Sequence, residues 1–346
     1  GESHFAEEDG RGVLAVSGAW TYEPGSFGFH FFTENGERLS SISTSRPPTA
    51  FAWIDLDGEG PMEVVTVHYP YTGAEDCTLN AYDRERGEIL WETDLATCDS
   101  VWLDVGDSNG DGRPEVAVTG FQSGKQPFAA LVDAKGSLRW MQHFHFQAYW
   151  ALALSGGAAF GGAADDGDGF VFFFDAESGE KRWEIRLPGL RDPERPRETR
   201  RSFSYFATAV TDRNGDGYDE IALTTAAGEV FLLDGATGAI EWRAWIREDG
   251  TVSSGGGGPI VYVPATESIP AYLVVSEQEG EAVTTTTSVF DLEGNRRGSF
   301  LTRGGVASLT RRRVEGEWRV ATGERFGTQI IAVRENEPKE DEEPTE

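Results

Sequence analysis

The chain has 346 residues, of which 59 are acidic and 30 are Lys or Arg, so its formal net charge is −29 at neutral pH. A surface this acidic repels nucleic acid and anionic membranes and attracts cations. No apolar run approaches the roughly 20 residues that a membrane-spanning helix needs, so the sequence predicts neither a nucleic-acid partner nor a membrane span.

One short pattern recurs along the chain: an apolar strand that ends in Asp, a turn with Gly, and a second strand. Its four good copies place Trp four residues after the glycine, as in AYDRERGEILW, LVDAKGSLRW, FFDAESGEKRW and LLDGATGAIEW. Two weaker copies bring the turn glycines to Gly36, Gly87, Gly136, Gly179, Gly238 and Gly294. Each copy predicts a β-hairpin, because Gly adopts the left-handed backbone of a tight turn at little cost.

The spacing of these copies predicts the fold. A repeat of about 50 residues made of strands and turns is typical of one four-stranded blade of a β-propeller. The pattern resembles the PQQ-like propeller repeat, with its apolar strand, Asp, Ser/Thr-Gly turn and following Trp. After Gly294, the segments GGVASLTRRRV, EWRVATG and TQIIAVREN predict three strands of a last blade, which the N-terminal segment near SHFAE would complete.

We therefore predict an all-β fold, a β-propeller of four-stranded blades. Seven blades are favoured, with six or eight left open, and a β-sandwich of generic hairpins is the alternative. The propeller is expected to form a single domain over residues 1–335. Residues 336–346 are acidic and contain no aromatic residue, which predicts a disordered tail.

Three acidic stretches precede apolar strands: DLDGEGPME, DSNGDGRPE and DRNGDGYDE, which begin at Asp55, Asp107 and Asp212. Positions 1, 3 and 5 carry side-chain oxygens, position 6 is Gly and position 9 is Glu. Ca²⁺ takes about six to eight oxygen ligands, and a sharply turned backbone brings several of them together. Zinc sites use Cys and His instead. Position 12 is not Glu, and the residues after the loop are β-branched, so the motif is not an EF-hand.

These stretches resemble the calcium loops of FG-GAP (VCBS-type) propeller repeats. The resemblance implies ligands at positions 1, 3, 5, 7 and 9, with position 7 binding through its backbone carbonyl. The implied ligands are Asp55, Asp57, Glu59, Pro61 and Glu63; Asp107, Asn109, Asp111, Arg113 and Glu115; and Asp212, Asn214, Asp216, Tyr218 and Glu220. The copy at Asp55 departs from the pattern at Glu59 and Pro61. A metal-free Asx turn is the alternative for all three.

The loops also predict a geometry. Each should join the first two strands of its blade, which puts all of them on one rim of the ring, with two or three structural Ca²⁺ ions. The blade between the second and third copies should keep a remnant in AADDGDGF, with Ala164 at position 1 and Phe172 at position 9.

The two cysteines, Cys77 and Cys98, flank one hairpin. Their midpoint falls between residues 87 and 88, at the Gly87 turn, so antiparallel pairing would bring the two thiols opposite each other. Two free thiols are the alternative. A disulfide indicates an oxidising compartment, so we expect a secreted, periplasmic or cell-surface protein.

Other candidate residues are less specific. His143 and His145 alternate along one strand and could form a metal site or an acid–base pair, although a hydrogen-bonded strand face is the simpler interpretation. Residues 188–206 lengthen one connection and would suit an acidic partner or a sugar acid. This segment carries Arg191, Arg195, Arg197, Arg200 and Arg201.

The function predicted from these features is non-catalytic. No Gly-x-Ser-x-Gly elbow or P-loop occurs, and no catalytic residue is assigned. We expect a calcium-stabilised recognition or scaffold module that holds a protein or glycan partner. The alternative is a polysaccharide lyase or hydrolase, which predicts His, Arg and Tyr converging in the central funnel. Quinone binding is not expected, because quinoproteins with this repeat are longer and often use adjacent cysteines.

Overall fold

The computed structural model contains only β-strands as regular secondary structure within the residues that it describes. These are 3–8, 11–19, 27–33, 35–46, 48–58, 61–68, 76–145, 147–163, 168–187, 203–247, 257–266, 269–278, 284–303, 306–314, 317–324 and 327–332. They form 27 strands in seven sheets. Over these ranges there is no helix long and apolar enough to cross a membrane.

The strands follow one another in groups of four. The first sheet contains β1 (Ser3–Glu8), β2 (Arg11–Ala19), β3 (Phe27–Thr33) and β4 (Arg38–Thr44). The second contains β5 (Pro48–Ile54), β6 (Glu63–His68), β7 (Thr78–Tyr82) and β8 (Ile89–Asp94), and the third β9 (Ser100–Gly106), β10 (Glu115–Phe121), β11 (Phe128–Val132) and β12 (Leu138–His143). The fourth contains β13 (Gln147–Leu154), β14 (Gly157–Ala163), β15 (Gly169–Asp175) and β16 (Lys181–Leu187).

The remaining sheets continue this order. The fifth contains β17 (Phe203–Val210), β18 (Glu220–Thr225), β19 (Glu229–Leu233) and β20 (Ile240–Trp245). The sixth contains β21 (Gly257–Val263), β22 (Tyr272–Gln278), β23 (Thr284–Asp291) and β24 (Arg296–Arg303). The last described sheet has three strands, β25 (Val306–Val314), β26 (Glu317–Glu324) and β27 (Gly327–Ala332).

Each sheet is an antiparallel meander, and successive sheets meet through their first strands. Strand β9 lies against β5 and β13, and β21 lies against β17 and β25. Sheets that follow one another in this way are the blades of a β-propeller, with the first strand of each blade innermost. The predicted fold class is therefore confirmed, with six complete four-stranded blades and a three-stranded seventh among the described residues.

The core lies between the blades. Six hydrophobic clusters each join two successive sheets, as where Phe173 of the fourth packs with Leu223 and Phe231 of the fifth. The middle strands are buried on both faces, whereas outer strands such as β8 expose most of their residues. A buried Phe contributes about 1.5–3 kcal/mol relative to an exposed one, so stacking of blades stabilises hairpins that could not fold alone.

The tryptophans of the hairpin repeat tie each blade to the next. Their indole N–H groups donate to backbone carbonyls of the following Asp-Gly turn at 2.8–3.1 Å: Trp91 to Ala134, Trp140 to Ala176, Trp183 to Gly235, and Trp242 to Leu292. The turn glycine lies under the ring. At Gly179, φ is +65° and a Cβ atom would come within 2.6 Å of the Trp140 ring, so only glycine fits.

Two predictions about the blades are wrong. The N-terminal strand β1 pairs with β2 in the first sheet and does not extend the last one. Closing a short local hairpin costs far less chain entropy than pairing with the other end of the chain. The AADDGDGF segment connects β14 to β15, so it is not a loop between first and second strands. The first two strands of this blade, β13 and β14, are joined by the two-residue turn Ser155–Gly156, and the ring of Tyr218 from the next blade fills the space above this turn.

The predicted disulfide between Cys77 and Cys98 is confirmed, with 5.8 Å between the two Cα atoms. Its predicted register is wrong, because Cys77 lies opposite Leu95, whose N–H donates to the Cys77 carbonyl at 2.8 Å. The hairpin is centred before Gly87, because the Asp83 N–H donates to the Glu88 carbonyl at 2.9 Å, and a bulge between Ala81 and Tyr82 moves the pairing by only one residue. Cys98 lies three residues beyond Leu95 and still bonds to Cys77.

Candidate metal-binding loops

The three acidic loops lie on one rim of the propeller, as predicted. They connect β5 to β6, β9 to β10 and β17 to β18, which are the first two strands of their blades. The Asp-Gly turns connect third to fourth strands and therefore lie on the same side, which we call the acidic rim. The opposite rim carries the connections between successive blades and the turns between second and third strands.

The loops that begin at Asp107 and Asp212 are held by the same internal hydrogen bonds. In each loop, the Asp at position 1 accepts the backbone N–H groups of positions 4 and 6 over 2.7–2.9 Å. The side-chain oxygen of position 3 accepts the N–H of position 5, and that of position 5 accepts the N–H of position 7, at 2.9 Å in each case. Hydrogen bonds to backbone N–H groups lower the pKa of Asp111 and of Asp212.

This pattern brings the side chains of positions 3 and 5 together. The amide nitrogen of Asn109 lies 3.1 Å from a carboxylate oxygen of Asp111, and the corresponding distance from Asn214 to Asp216 is 3.0 Å. Two independent copies of one arrangement show that the sequence pattern alone specifies the loop conformation. The side-chain oxygens of positions 1, 3 and 5 are all exposed or partly exposed at the rim.

The glutamate at position 9 has a role that sequence reasoning missed. In all three loops it accepts the backbone N–H of position 2: from Leu56 to Glu63 at 3.0 Å, Ser108 to Glu115 at 2.9 Å, and Arg213 to Glu220 at 3.1 Å. Burial raises the pKa of Glu63 and of Glu115, and raises that of Glu220 to about 7. These glutamates therefore fix the start of each loop from inside the blade.

The loops differ in how the negative charge of the glutamate at position 9 is compensated by neighbouring side chains. In the third blade, the Arg139 guanidinium lies 3.1 Å from Glu115. In the fifth blade, the residue before the outer-strand Trp is Glu241, and its charge adds to the rise in the pKa of Glu220. Arg213 lies 2.8 Å from Glu241 and offsets part of this repulsion. The loop that begins at Asp212 therefore has the less compensated negative charge.

The loop that begins at Asp55 gathers three carboxylates. Oxygens of Asp55, Asp57 and Glu63 lie within 4.8 Å of one another. The N–H of Gly58 donates to Asp55 at 2.7 Å, as position 4 does in the other loops. Glu59 lies outside the described residues. Among the described residues, the copy that departs most from the other two is thus the one in which three acidic groups converge.

The fifth-blade loop is also docked onto the preceding blade. Asp219 accepts the N–H and the hydroxyl of Ser155 at 3.0 and 2.9 Å. The Arg182 guanidinium lies over the Tyr218 ring at 5.3 Å and donates to the Tyr218 hydroxyl. This docking explains why the fourth blade has only a short turn where its neighbours carry an acidic loop.

A cleft of 730 Å³ separates the acidic loops of the second and third blades. It is lined by the apolar side chains of Trp53, Leu56 and Met62 and by the loop aspartates together with Arg113 and Lys135. Both charge signs therefore face one opening on the acidic rim.

The other predicted residues do not converge on a catalytic centre. His143 ends the outer strand β12 and His145 follows it, and both are exposed on the opposite rim. On the inner strands, Arg311 donates to the carbonyl of Tyr262, and Asp104 accepts the N–H of Ala153 at 3.1 Å. These inner-strand contacts join neighbouring blades.

Two predicted segments cannot be placed on this rim or the other. All five arginines from 191 to 201 lie outside the described residues, and so does the tail from 336 to 346. The contact role of the arginines and the disorder of the tail remain predictions.

Solved structures resemble this fold at low sequence identity. BBS1N in complex with ARL6DN has a TM-score of 0.61 and 12% identity, covering 96% of this chain and 91% of that chain. Saccharomyces cerevisiae Sqt1 has a TM-score of 0.59 and 12% identity, covering 96% and 83%. BamB from Moraxella catarrhalis has a TM-score of 0.50 and 16% identity, covering 96% and 98%. Likeness at this level shows the propeller fold.

The sequence itself gives a family. No curated protein matches the chain. The family model described as outer membrane protein assembly factor BamB matches residues 75–336, which include the four good copies of the Trp hairpin and the disulfide. Since this match spans more than half of the residues, the chain belongs to the PQQ-like repeat family of outer membrane protein assembly factor BamB.

Proposed function

We propose that this protein is a non-catalytic recognition or scaffold module that works outside the cytoplasm and holds a protein partner on its propeller. The family match over residues 75–336 carries the proposal, because that family is described as an assembly factor. The inner-strand residues Asp104, Tyr262 and Arg311 join blades, and this use supports a binding module over an enzyme.

Structural neighbours support a protein as the partner. BBS1N was solved in complex with ARL6DN, and another neighbour, with a TM-score of 0.59, belongs to the mitotic checkpoint complex. Propellers of this shape thus serve in protein assemblies. A rigid ring with loops on two rims offers such partners a broad, pre-formed surface.

The proposed location outside the cytoplasm has two supports. The Cys77–Cys98 disulfide is typical of oxidising compartments. The family description names the outer membrane. Both point to a secreted, periplasmic or cell-surface protein.

We also propose that the acidic loops bind structural Ca²⁺ in the manner of FG-GAP (VCBS-type) repeats. Exposed side-chain oxygens at positions 1, 3 and 5 and three converging carboxylates in the Asp55 loop fit a hard, oxygen-seeking cation. A bound cation would neutralise acids that otherwise repel one another. The side chains that would hold it in the best-matched loop are Asp212, Asn214 and Asp216.

Metal content tests the calcium proposal. Protein dialysed against calcium should retain two or three ions by elemental analysis, and Asp216→Asn should remove one of them. Asp94→Asn, the same change at an exposed position on the opposite rim, is the matched control. A site saturated about 100-fold above its Kd adds about 2.7 kcal/mol of stability, so EDTA should lower the melting temperature. Metal-free protein with an unchanged melting temperature would contradict the proposal.

Site-specific photo-crosslinking tests the recognition proposal. A photoreactive residue is placed at exposed positions on the acidic rim, on the opposite rim and on an outer strand, in protein expressed in its native compartment. One partner crosslinked from a single rim is expected. Diffuse crosslinking from all three positions, or turnover of a polysaccharide by the purified protein, would overturn the proposal.

A further inference from the structure

Three aromatic side chains form a small cluster on the opposite rim, between the third and fourth blades. The ring centroids of Trp102 and Phe121 are 5.9 Å apart, those of Trp102 and Tyr149 are 5.9 Å apart, and those of Phe121 and Tyr149 are 6.0 Å apart. Trp102 lies near the start of β9, Phe121 ends β10, and Tyr149 is near the start of β13. All three lie at the strand ends remote from the acidic loops. We call these residues the aromatic trio.

The aromatic trio is not part of the core. Its members are each partly exposed, and none belongs to the six clusters of buried residues that hold the blades together. Other aromatic contacts, such as Phe144 with Phe172, lie within those clusters. Partly exposed aromatic rings gathered at one spot are typical of contact surfaces, because they offer large apolar area with little rotamer freedom to lose.

The backbone conformation of β13 positions the Tyr149 ring in the aromatic trio. The pairing of β13 with β14 shifts between Ala148 and Trp150, so Tyr149 is the extra residue of a β-bulge. Bulges re-aim side chains and are over-represented next to functional sites. The Tyr149 hydroxyl donates to Gln147 at 2.7 Å, which holds the ring with its polar edge outward. Trp102 and Tyr149 lie on the inner strands β9 and β13, and Phe121 lies on the adjacent strand β10.

Three exposed carboxylates lie on the same rim as the aromatic trio. The N–H of Asp99 donates to the carbonyl of Phe121 at 3.0 Å, and the Asp99 side chain is exposed. Asp99 belongs to residues 95–99, which cross from the second blade to the third. Asp94 precedes this crossing and Asp76 accepts the hydroxyl of Thr97 at 2.8 Å; both are exposed. The Cys98 disulfide pins the same crossing to the second blade.

We propose that the aromatic trio and Asp99 form a docking site for a protein segment rich in arginine or lysine. An aromatic face attracts a cation that lies over it, and a neighbouring carboxylate completes the guanidinium's hydrogen bonds. The net charge of −29 would also draw a cationic segment to this surface. This inference rests on the proposed recognition function and names the surface and the chemistry of the partner.

The protein's own contacts show the geometry that such a segment would adopt. Arg84 lies over the Trp53 ring at 5.8 Å, Arg186 over Phe170 at 5.5 Å, and Arg296 over Phe290 at 5.6 Å. A partner's guanidinium over Trp102 or Tyr149 would repeat this arrangement at the aromatic trio. Lys125 is exposed in the turn after Phe121, and its positive charge would repel a cationic segment at this surface.

Fluorescence anisotropy with defined peptides tests the site. The probe is a short fluorescein-labelled peptide in which arginine alternates with serine, and its control carries citrulline, a neutral isostere, at every arginine. We expect Tyr149→Leu and Trp102→Leu to weaken arginine-peptide binding by about fivefold or more. Asp99→Asn should weaken it about twofold, and Lys125→Gln should strengthen it, because the first removes an attractive charge and the second a repulsive one.

The matched control is Trp53→Leu. Trp53 is also a partly buried tryptophan on an inner strand, but it lies at the acidic rim. Equal affinities of Tyr149→Leu and Trp53→Leu would show diffuse attraction to an acidic protein and overturn the site. Equal binding of the citrulline peptide would also overturn the proposed site. Self-association that Tyr149→Leu abolishes, or preferential binding of a neutral oligosaccharide, would overturn it as well. If Trp102→Leu fails to fold, the paired surface changes at Asp99 and Lys125 decide the question.

Failure of this site and failure of the proposed function give different results. A partner crosslinked on the acidic rim, with no effect of Tyr149→Leu on peptide binding, would leave the recognition function standing and refute this surface. Diffuse crosslinking would refute the recognition function, whatever the peptide results.

Discussion

The strongest stability prediction concerns Gly179, the turn glycine under the Trp140 ring. Gly179→Ala adds a Cβ atom that would lie 2.6 Å from Cγ of Trp140, well inside van der Waals contact. The turn cannot move away freely, because Trp140 also donates to the Ala176 carbonyl at 3.1 Å and packs edge-on against Phe160. The substitution should therefore loosen the contact between the third and fourth blades.

The magnitude has two parts. An alanine at φ +65° costs about 1–2 kcal/mol in backbone strain. Overpacking of a fixed contact adds about 1–3 kcal/mol. Gly179→Ala should therefore lower the free energy of unfolding by about 2–5 kcal/mol. At about 2 °C for each kcal/mol in a domain of this size, the melting temperature should fall by about 4–10 °C.

Gly87→Ala supplies the control within the same chain. Gly87 has the same role in the second blade, with φ +70°, and its N–H closes the same five-residue turn onto Asp83 at 2.8 Å. The nearest atom to an added Cβ there is 3.8 Å away, because the first blade has no tryptophan at the repeat position. This variant should show the strain alone, about 1–2 kcal/mol. Guanidinium unfolding measures both variants.

A double-mutant cycle isolates the contact. In a Trp140→Ala background the ring is gone, so Gly179→Ala should cost no more than Gly87→Ala does in the native protein. Equal losses for Gly179→Ala and Gly87→Ala, or an undiminished loss without the Trp140 ring, would refute the idea that tryptophan docking joins the blades.

Three further predictions concern other parts of the molecule. Burial raises the pKa of Asp104 to about 6, so the folded state loses stability as the pH rises from about 4 to 6. Asp104→Asn should therefore be more stable than the native protein by about 1–3 kcal/mol at pH ~8. Calorimetry should find that this difference in stability disappears below pH ~4. Replacing Cys77 and Cys98 by alanine should cost about 3 kcal/mol, and dithiothreitol should lower the melting temperature of the native protein but not of this variant. Asp212→Asn should reduce the rise in melting temperature on adding calcium, while a calcium response equal to that of native protein would exclude this loop as a site.

Local patterns predicted the parts of the fold that short segments specify by themselves. The Asp-Gly hairpins and the acidic loops have the predicted connections because their turn residues and strand residues agree over about ten positions. The Cys77–Cys98 pair was predictable for the same reason, although the hairpin is centred before Gly87, so that Cys77 lies opposite Leu95. The turn glycine marks the presence of a hairpin but not its midpoint.

Contacts between blades were harder to predict. Each repeat Trp lies at a constant distance from its own turn glycine, but the glycine that it covers belongs to the next blade, as with Trp140 and Gly179. The pattern showed both residues without showing their partnership. The missing loop of the fourth blade has the same cause, because Tyr218 from the fifth blade fills its place. The aromatic trio likewise joins residues from two blades, and only the ring geometry brings them together.

The two rims of the propeller are therefore suited to different tasks. On the acidic rim, the repeat indoles and Asp219 are already engaged in ties between blades, so a partner that displaced them would weaken the ring. On the opposite rim, the disulfide fixes the crossing at Cys98 to the second blade, and the aromatic trio is partly exposed and lies outside the core clusters that hold the blades together. A ligand can use those rings without opening the fold. Binding and stability can thus change independently, which is why Tyr149→Leu should reduce peptide affinity while leaving the melting temperature close to that of native protein.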